Sequence, residues 1–435
     1  MTVRRLVAIA FILIGTSAAW TVLGSSLIAR TGRFDGRLEP EVQLLWGGPH
    51  RQVAPNAWIS RPGTDTETVE TKDSDGRIVR REITKPVLRP VPVALDQTRG
   101  DVMLELEHRR KGLLWYPTYT VAFKATYKFT NPDREARALR VRFPLPAENA
   151  LFDDFVFALN GRPMDPASDV SKEMSAGVMA EPGAPVTVDV QYRSRGMRTW
   201  TYAFAENGTA QVRDFHLQMR TNFADVDFPP GTVSPTSLTP GNFGAELGWS
   251  FVNLISGQSI GMELPERLNP GPFAARVTFF APVSLLFFLA VMVIVGATTG
   301  PSLHPMHYWF IATAFFAFHL LLAYLVDHVN VHAAFATAAT VSLVLVLSYV
   351  HMVNLKVRTT PGAGRQALVT VGAAQGVFLV LFSYAFFFEG FTGLTITIGA
   401  IITLFVLMQM TAHVAWDEIF SGAGAKLGGA HASRG

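Results

Sequence analysis

The sequence predicts a six-span membrane α-helical bundle with a large external all-β, sandwich-like domain inserted between spans 1 and 2. Three observations carry this. Six uncharged apolar runs are each long enough to cross a bilayer, which takes ~20 residues, and five of them crowd into the last third of the chain. Lys and Arg cluster in alternate short loops. The polar segment between the first two runs shows period-two alternation of apolar residues, the mark of half-buried strands.

The first run, Leu6–Ala29, follows Arg4 and Arg5. Ser17-Ala18-Ala19 offers the small residues of a cleavage site, but the apolar run continues to Ala29, too long for a signal core alone. An uncleaved anchor over residues 1–29 is expected.

Residues 30–272 read as a periplasmic β domain. In TYTVAFKATYKF, Val121, Phe123, Ala125, Tyr127 and Phe129 share one face, and Lys124, Thr126 and Lys128 the other. The same alternation recurs at Val186–Tyr192, Leu139–Phe143 and Val102–Leu106. Asn160-Gly161, Asn207-Gly208 and Asp75-Gly76 are hairpin pairs, because both central residues of a type I′ turn need positive φ. Short strands with such turns suggest a sandwich, as one core or two packed lobes. The charged segment 62–86 has no apolar face and is expected to project as a hairpin or loop. DSDG at 73–76 lacks the further oxygen ligands of a calcium loop and reads as a turn.

The remaining runs are Val277–Thr299, Tyr308–Val326, Ala333–Val353, Ala367–Phe388 and Gly393–His413, forming a five-span bundle over 273–416 with a tail at 417–435. Lys356, Arg358 and Arg365 lie between spans four and five, and Lys426 and Arg434 follow span six. The loops Asp327–His332 and Glu389–Thr392 carry no Lys or Arg. By retention of positive charge on the cytoplasmic side, both termini lie inside and 30–272 outside.

Composition excludes several classes. The chain has no Cys, so thiolate catalysis, disulfides and Cys-ligated zinc are absent. The formal charge of +3 comes from chain ends and short loops, since basic and acidic residues balance within the β domain; it gives no footprint for nucleic acid. No HExxH, GxSxG, Walker loop or glycine fingerprint is present, and no cofactor is assigned. The expected partners are the lipid bilayer and a periplasmic envelope protein or cell-wall component.

Four stretches, in chain order, resemble the CreD family of bacterial inner-membrane proteins. IARTGRFDGRLEPEVQLLWGGPHRQVAP resembles the family's Arg-rich exit from the first span. HRRKGLLWYPTYTVAFKATYKF resembles its Arg-x-x-Gly turn and long strand. SGQSIGMELPERLNPGPFAARVTFF resembles its Ser-Ile-Gly strand entering the second span. HPMHYWFIATAFFAFHLLLAYLVDHV resembles its His-Pro opening and acid-His close. His307 stands where the family has Gln, His319 where it has Tyr, and Asp327 where it has Glu; the Glu near Arg30 is missing. The resemblance implies an envelope-associated protein linked with envelope stress and antibiotic or colicin tolerance, and implies no known reaction.

Three groups of residues are candidates for function. His319, Gln375, Ser342 and Thr403 fall near midplane; His319 is about 17 Å and Gln375 about 12 Å from the inner edge at helical rise. A polar pocket or proton path is the functional reading. The structural one has neutral His319 bonding Gln375 or Ser342, and it is favoured because no carboxylate lies near midplane to complete a relay. Asp327, His328, His332 and Glu389 collect at the outer rim, and His304, His307, His351, His413 and Asp417 at the inner rim. Interfacial anchoring is favoured there over metal binding. Arg109, Arg110, Gly112, Trp115 and Tyr116 form a candidate interaction patch, with a folding role for the turn as the stronger reading.

Overall fold

The computed structural model describes residues 3–72, 78–148, 150–164, 173–241, 244–298, 304–356, 363–388 and 390–412. It divides into two compact units, Met1–Gly36 with Leu268–Gly435, and Arg37–Arg267.

The first unit is helical. Its helices are α1 (Val3–Trp46), α2 (Pro270–Thr298), α3 (Pro305–Leu325), α4 (Val331–Lys356), α5 (Ala363–Gln375), α6 (Phe382–Tyr384) and α7 (Thr392–Thr411). A π-helical turn, Gly376–Leu381, joins α5 to α6, and a 3₁₀ turn, Ala385–Phe387, follows. Six helical stretches among the described residues are long and apolar enough to cross a membrane. Two differ from the sequence reading. α1 does not stop at Ala29 but runs on through a charged segment to Trp46, where Gly47 at φ 92° receives the chain and donates its N–H to the Gln43 carbonyl at 2.9 Å. A helix end with Gly in the left-handed region is a common stop. Span five is not one α-helix but the α–π–α–3₁₀ succession just given.

Pro305 opens α3, where a missing N–H does no harm, and His304 caps it by accepting the Met306 N–H. Ala312, Ala323, Ala334 and Ala338 are all fully buried on α3 and α4. Small residues there let the two backbones approach, which is how helices gain contact in lipid, where apolar burial alone drives little association. Trp20, Phe288, Phe315 and Phe318 fill the same core.

The second unit holds the last ten residues of α1 and fifteen strands: β1 (His50–Val53), β2 (Asn56–Lys72), β3 (Ile78–Val93), β4 (Leu95–Lys111), β5 (Leu114–Thr130), β6 (Arg137–Pro144), β7 (Phe152–Leu159), β8 (Arg162–Pro163), β9 (Glu173–Ala180), β10 (Pro185–Met197), β11 (Thr199–Ala203), β12 (Ala210–Thr221), β13 (Ser237–Gly241), β14 (Gly244–Ser256) and β15 (Ile260–Glu263). They form an eight-stranded sheet in the order β13-β14-β12-β4-β5-β10-β7-β8, a four-stranded sheet β3-β2-β6-β9 and a three-stranded sheet β1-β11-β15. One continuous core draws from all three sheets: Val121, Phe123 and Tyr127 of β5, Leu139, Val141 and Phe143 of β6, and Trp200 and Tyr202 of β11. The alternation read from the sequence thus places one face of each strand in a shared core. Each fully buried large side chain contributes roughly 1.5–3 kcal/mol.

Asn160 and Gly161, at φ 49° and 74°, make the tight turn between β7 and β8. Asn207-Gly208 makes no such hairpin, because β12 pairs β14 and β4 rather than the preceding β11. β2 and β3 pair along their whole length, from Ala57↔Val93 to Lys72↔Ile78, whereas β6 covers only Asn56–Ile59 of β2. The expected hairpin therefore extends as a two-stranded ribbon. The DSDG tip falls outside the described residues.

Candidate functional site

The four midplane candidates do not converge. Ser342 on α4 donates to the Ala314 carbonyl of α3 at 2.8 Å, and the Gln375 amide donates to Ser342 Oγ at 3.1 Å. Ser284 of α2 donates to the Phe378 carbonyl inside the π-helical turn. These bonds tie four successive helices together, and Gln375 Oε1 is left without a partner among the described residues. Thr403 turns back onto its own helix, donating to the Gly399 carbonyl at 2.8 Å.

His319 belongs to a different cluster. It bonds neither Gln375 nor Ser342, contrary to the sequence expectation; its Nδ1 lies 3.2 Å from the Phe315 carbonyl one turn back. A carbonyl only accepts, so Nδ1 carries the proton and Nε2 is left as an acceptor. That Nε2 has no partner among the described residues, and neither does Trp20 Nε1. The two rings meet edge-on at 5.3 Å, with Phe318 at 4.8 Å. His319 thus sits in an aromatic cage rather than at the centre of a polar path.

The outer-rim residues also separate. Asp327 is held by Arg30 of α1 at 3.0 Å, and Arg30 also donates to the Ala323 carbonyl at 3.2 Å. His332 stacks on Phe387 at 4.6 Å, and the His328 side chain is exposed. Glu389 lies outside the described residues, as do His413 and Asp417 of the inner rim. His307 Nδ1 meets the Tyr349 hydroxyl at 2.7 Å. Among the described residues no three His, Asp or Glu side chains come together as a metal site.

The Arg109–Tyr116 turn is engaged by the chain itself. Gly112 turns it at φ 60°. Leu114 and Tyr116 pack with Val42 and Met197, and with Leu38 and Trp46 at their edge. Arg109 lies 3.3 Å over the Trp46 ring, Lys111 pairs with Glu41 at 3.0 Å, and Arg267 lies over Trp115 at 4.8 Å. Arg110 Nε donates to the Gly112 carbonyl at 3.0 Å. The residues proposed from sequence as a patch thus pack against residues 38–46 at the end of α1.

Two features were missed by sequence reasoning. The first is a buried pair: His50 Nε2 and Ser194 Oγ at 2.9 Å, with His50 Nδ1 3.1 Å from the Gly48 carbonyl. The spacing matches a nucleophile and its base, but both side chains are sealed, at 1 % and 2 % exposure. Burial drives the His50 pKa down to about 4, opposed by the bond to Gly48. The pair is a neutral packing unit joining β1 to β10.

The second is the outward face of the eight-stranded sheet. Two grooves of about 590 and 340 Å³ lie side by side on it. Asp101 and Lys124 line both. Arg99 pairs with Asp214 at 2.7 Å and Arg220 with Asp101 at 3.1 Å. Hydrogen bonds from Gln97 and Arg99 hold the Asp214 carboxyl below its usual range. Nothing in the composition flags this face, since each member is an ordinary surface residue and only strand register assembles them.

Solved structures with related shape score low. A protein described as nutrient-binding, from Legionella pneumophila, is 9% identical, covers 66% of this chain and 97% of its own, and has a TM-score of 0.31. An M1 zinc metallopeptidase from Deinococcus radiodurans is 11% identical, covers 74% and 91%, and has a TM-score of 0.22. Scores of this size carry no argument about fold or chemistry. No curated protein matches the chain. Residues 253–417, which include β15 and the helices from α2 to α7, match the family model described as inner membrane protein CreD.

Proposed function

We propose that this chain is a non-enzymatic inner-membrane protein that maintains or monitors the integrity of the cell envelope. Both termini face the cytoplasm, the β domain stands in the periplasm, and that domain does the work by meeting an envelope component. The observation that supports this most is how the polar groups are used. In the bundle, Ser284, Ser342 and Gln375 bond helix to helix, Asp327 is taken by Arg30, and His319 is caged by aromatic rings. The β domain instead presents a polar, grooved sheet face to solvent.

The test is envelope permeability to detergent and β-lactam in a deletion strain. Wild type, His319→Ala, Asp327→Ala/His328→Ala and a chain lacking residues 62–270 are supplied at matched abundance. The point variants are expected to restore the barrier and the shortened chain to fail. A transporter working through the bundle gives the opposite pattern.

A further inference from the structure

The register of the eight-stranded sheet lines up four long polar side chains at right angles to the strands. Gln218 on β12 faces Asp101 on β4, Asp101 faces Lys124 on β5, and Lys124 faces Gln191 on β10. Neighbouring strands lie about 4.8 Å apart, so the row runs about 14 Å. It coincides with the line where the two grooves meet, since Gln218 lines one, Gln191 the other, and Asp101 and Lys124 both. Gln218, Lys124 and Gln191 are exposed, and none has a hydrogen-bond or ion-pair partner among the described residues. Asp101 is bonded to Arg220 at 3.1 Å.

We propose that this row binds an acidic, N-acetylated glycan strand of the cell wall, lying across the strands. The proposal rests on the reading that the β domain stands in the periplasm. Each Gln offers two donors and an acceptor, which suit hydroxyl and acetamido groups, and the Lys124 ammonium suits a carboxylate. A linear polymer with repeating polar groups fits a linear row. The surrounding charges argue against other occupants. Arg99, Arg193 and Arg220 are paired with Asp214, Asp154 and Asp101, leaving too little free positive charge for a phosphate polymer, whose binding scales with the phosphates neutralised. Phe123, Tyr192 and Trp249 on the strands beneath the grooves are buried in the core, so among the described lining residues there is no exposed aromatic anchor of the kind that dominates protein–protein interfaces. Binding through one ammonium at an exposed site weakens with salt.

The experiment is co-sedimentation of the detergent-solubilised full chain with purified sacculi, and with chitin as an acetamido polymer lacking carboxylate. Sacculi are expected to retain the wild type better than chitin does. Lys124→Glu lowers retention about tenfold, the loss of one charge-assisted hydrogen bond. Gln191→Ala/Gln218→Ala lowers it comparably, and melting temperatures stay unchanged because all three positions are exposed. Wild-type retention no better on sacculi than on chitin, or variants that sediment like wild type, overturn the proposal. The barrier assay keeps the two readings apart. A chain that misses sacculi while its β domain remains essential for the barrier loses this site but keeps the proposed function. A chain that binds sacculi through Lys124 while its β domain is dispensable keeps the site and loses the function.

Discussion

His50 shows how burial sets a titration, outweighing the bond to the Gly48 carbonyl that opposes it. Its pKa is driven from 6.5 to about 4 in the folded protein. Above about pH 6.5 both folded and unfolded chains carry the neutral ring, and the full stability is present. As the pH falls, the unfolded chain takes up a proton that the folded one refuses, so stability is lost between about pH 6.5 and pH 4, by up to about 3 kcal/mol. NMR of the imidazole is expected to show a midpoint near 4, and His50→Asn to flatten the fall of stability over that window. A midpoint near 6.5 contradicts this. At His319, the orphaned Nε2 leads to the reverse expectation. His319→Phe removes an unsatisfied buried acceptor while keeping the cage filled, so thermal unfolding in detergent is expected to show equal or higher stability. Neither setting was readable from the chain, because Trp20 and Ser194, which complete the two surroundings, are distant in sequence from His319 and His50.

At the scale of elements, the bonds between helices and the turn under α1 give separable expectations. Gln375→Leu and Ser342→Ala are each expected to lower bundle stability by about 0.6–2 kcal/mol, with less than additive loss in the double variant, because they break one bond between them. Full additivity by double-mutant cycle contradicts the pairing. Gly112→Ala forces a side chain into the left-handed region and costs about 1–2 kcal/mol, with Gly112→Asn milder. The apolar spans and alternating strands were legible because helix and strand write different periods into the sequence. The continuation of α1 to Trp46 was not, since residues 30–46 are too charged to continue an apolar run and Pro40 sits inside them. The π-helical turn was hidden for another reason: Gly376–Leu381 has the composition of any membrane helix, and only the backbone distinguishes it.

For the whole molecule, the family match over 253–417 and the six apolar helices place the chain among inner-membrane proteins. The side on which the β domain stands then decides the rest of the account. The basic loops that argue for a periplasmic domain were legible in the sequence, while the grooved sheet face came only from the register of strands far apart in the chain. The chain's lack of cysteine makes the decisive measurement clean: single cysteines replacing Asn207 in the β domain and Arg365 in the first turn of α5, probed in spheroplasts with a membrane-impermeant thiol reagent. Labelling of the residue 207 cysteine in intact spheroplasts, and of the residue 365 cysteine only after lysis, is the expected result. Labelling of residue 365 from outside with residue 207 protected would place the β domain in the cytoplasm and contradict the account.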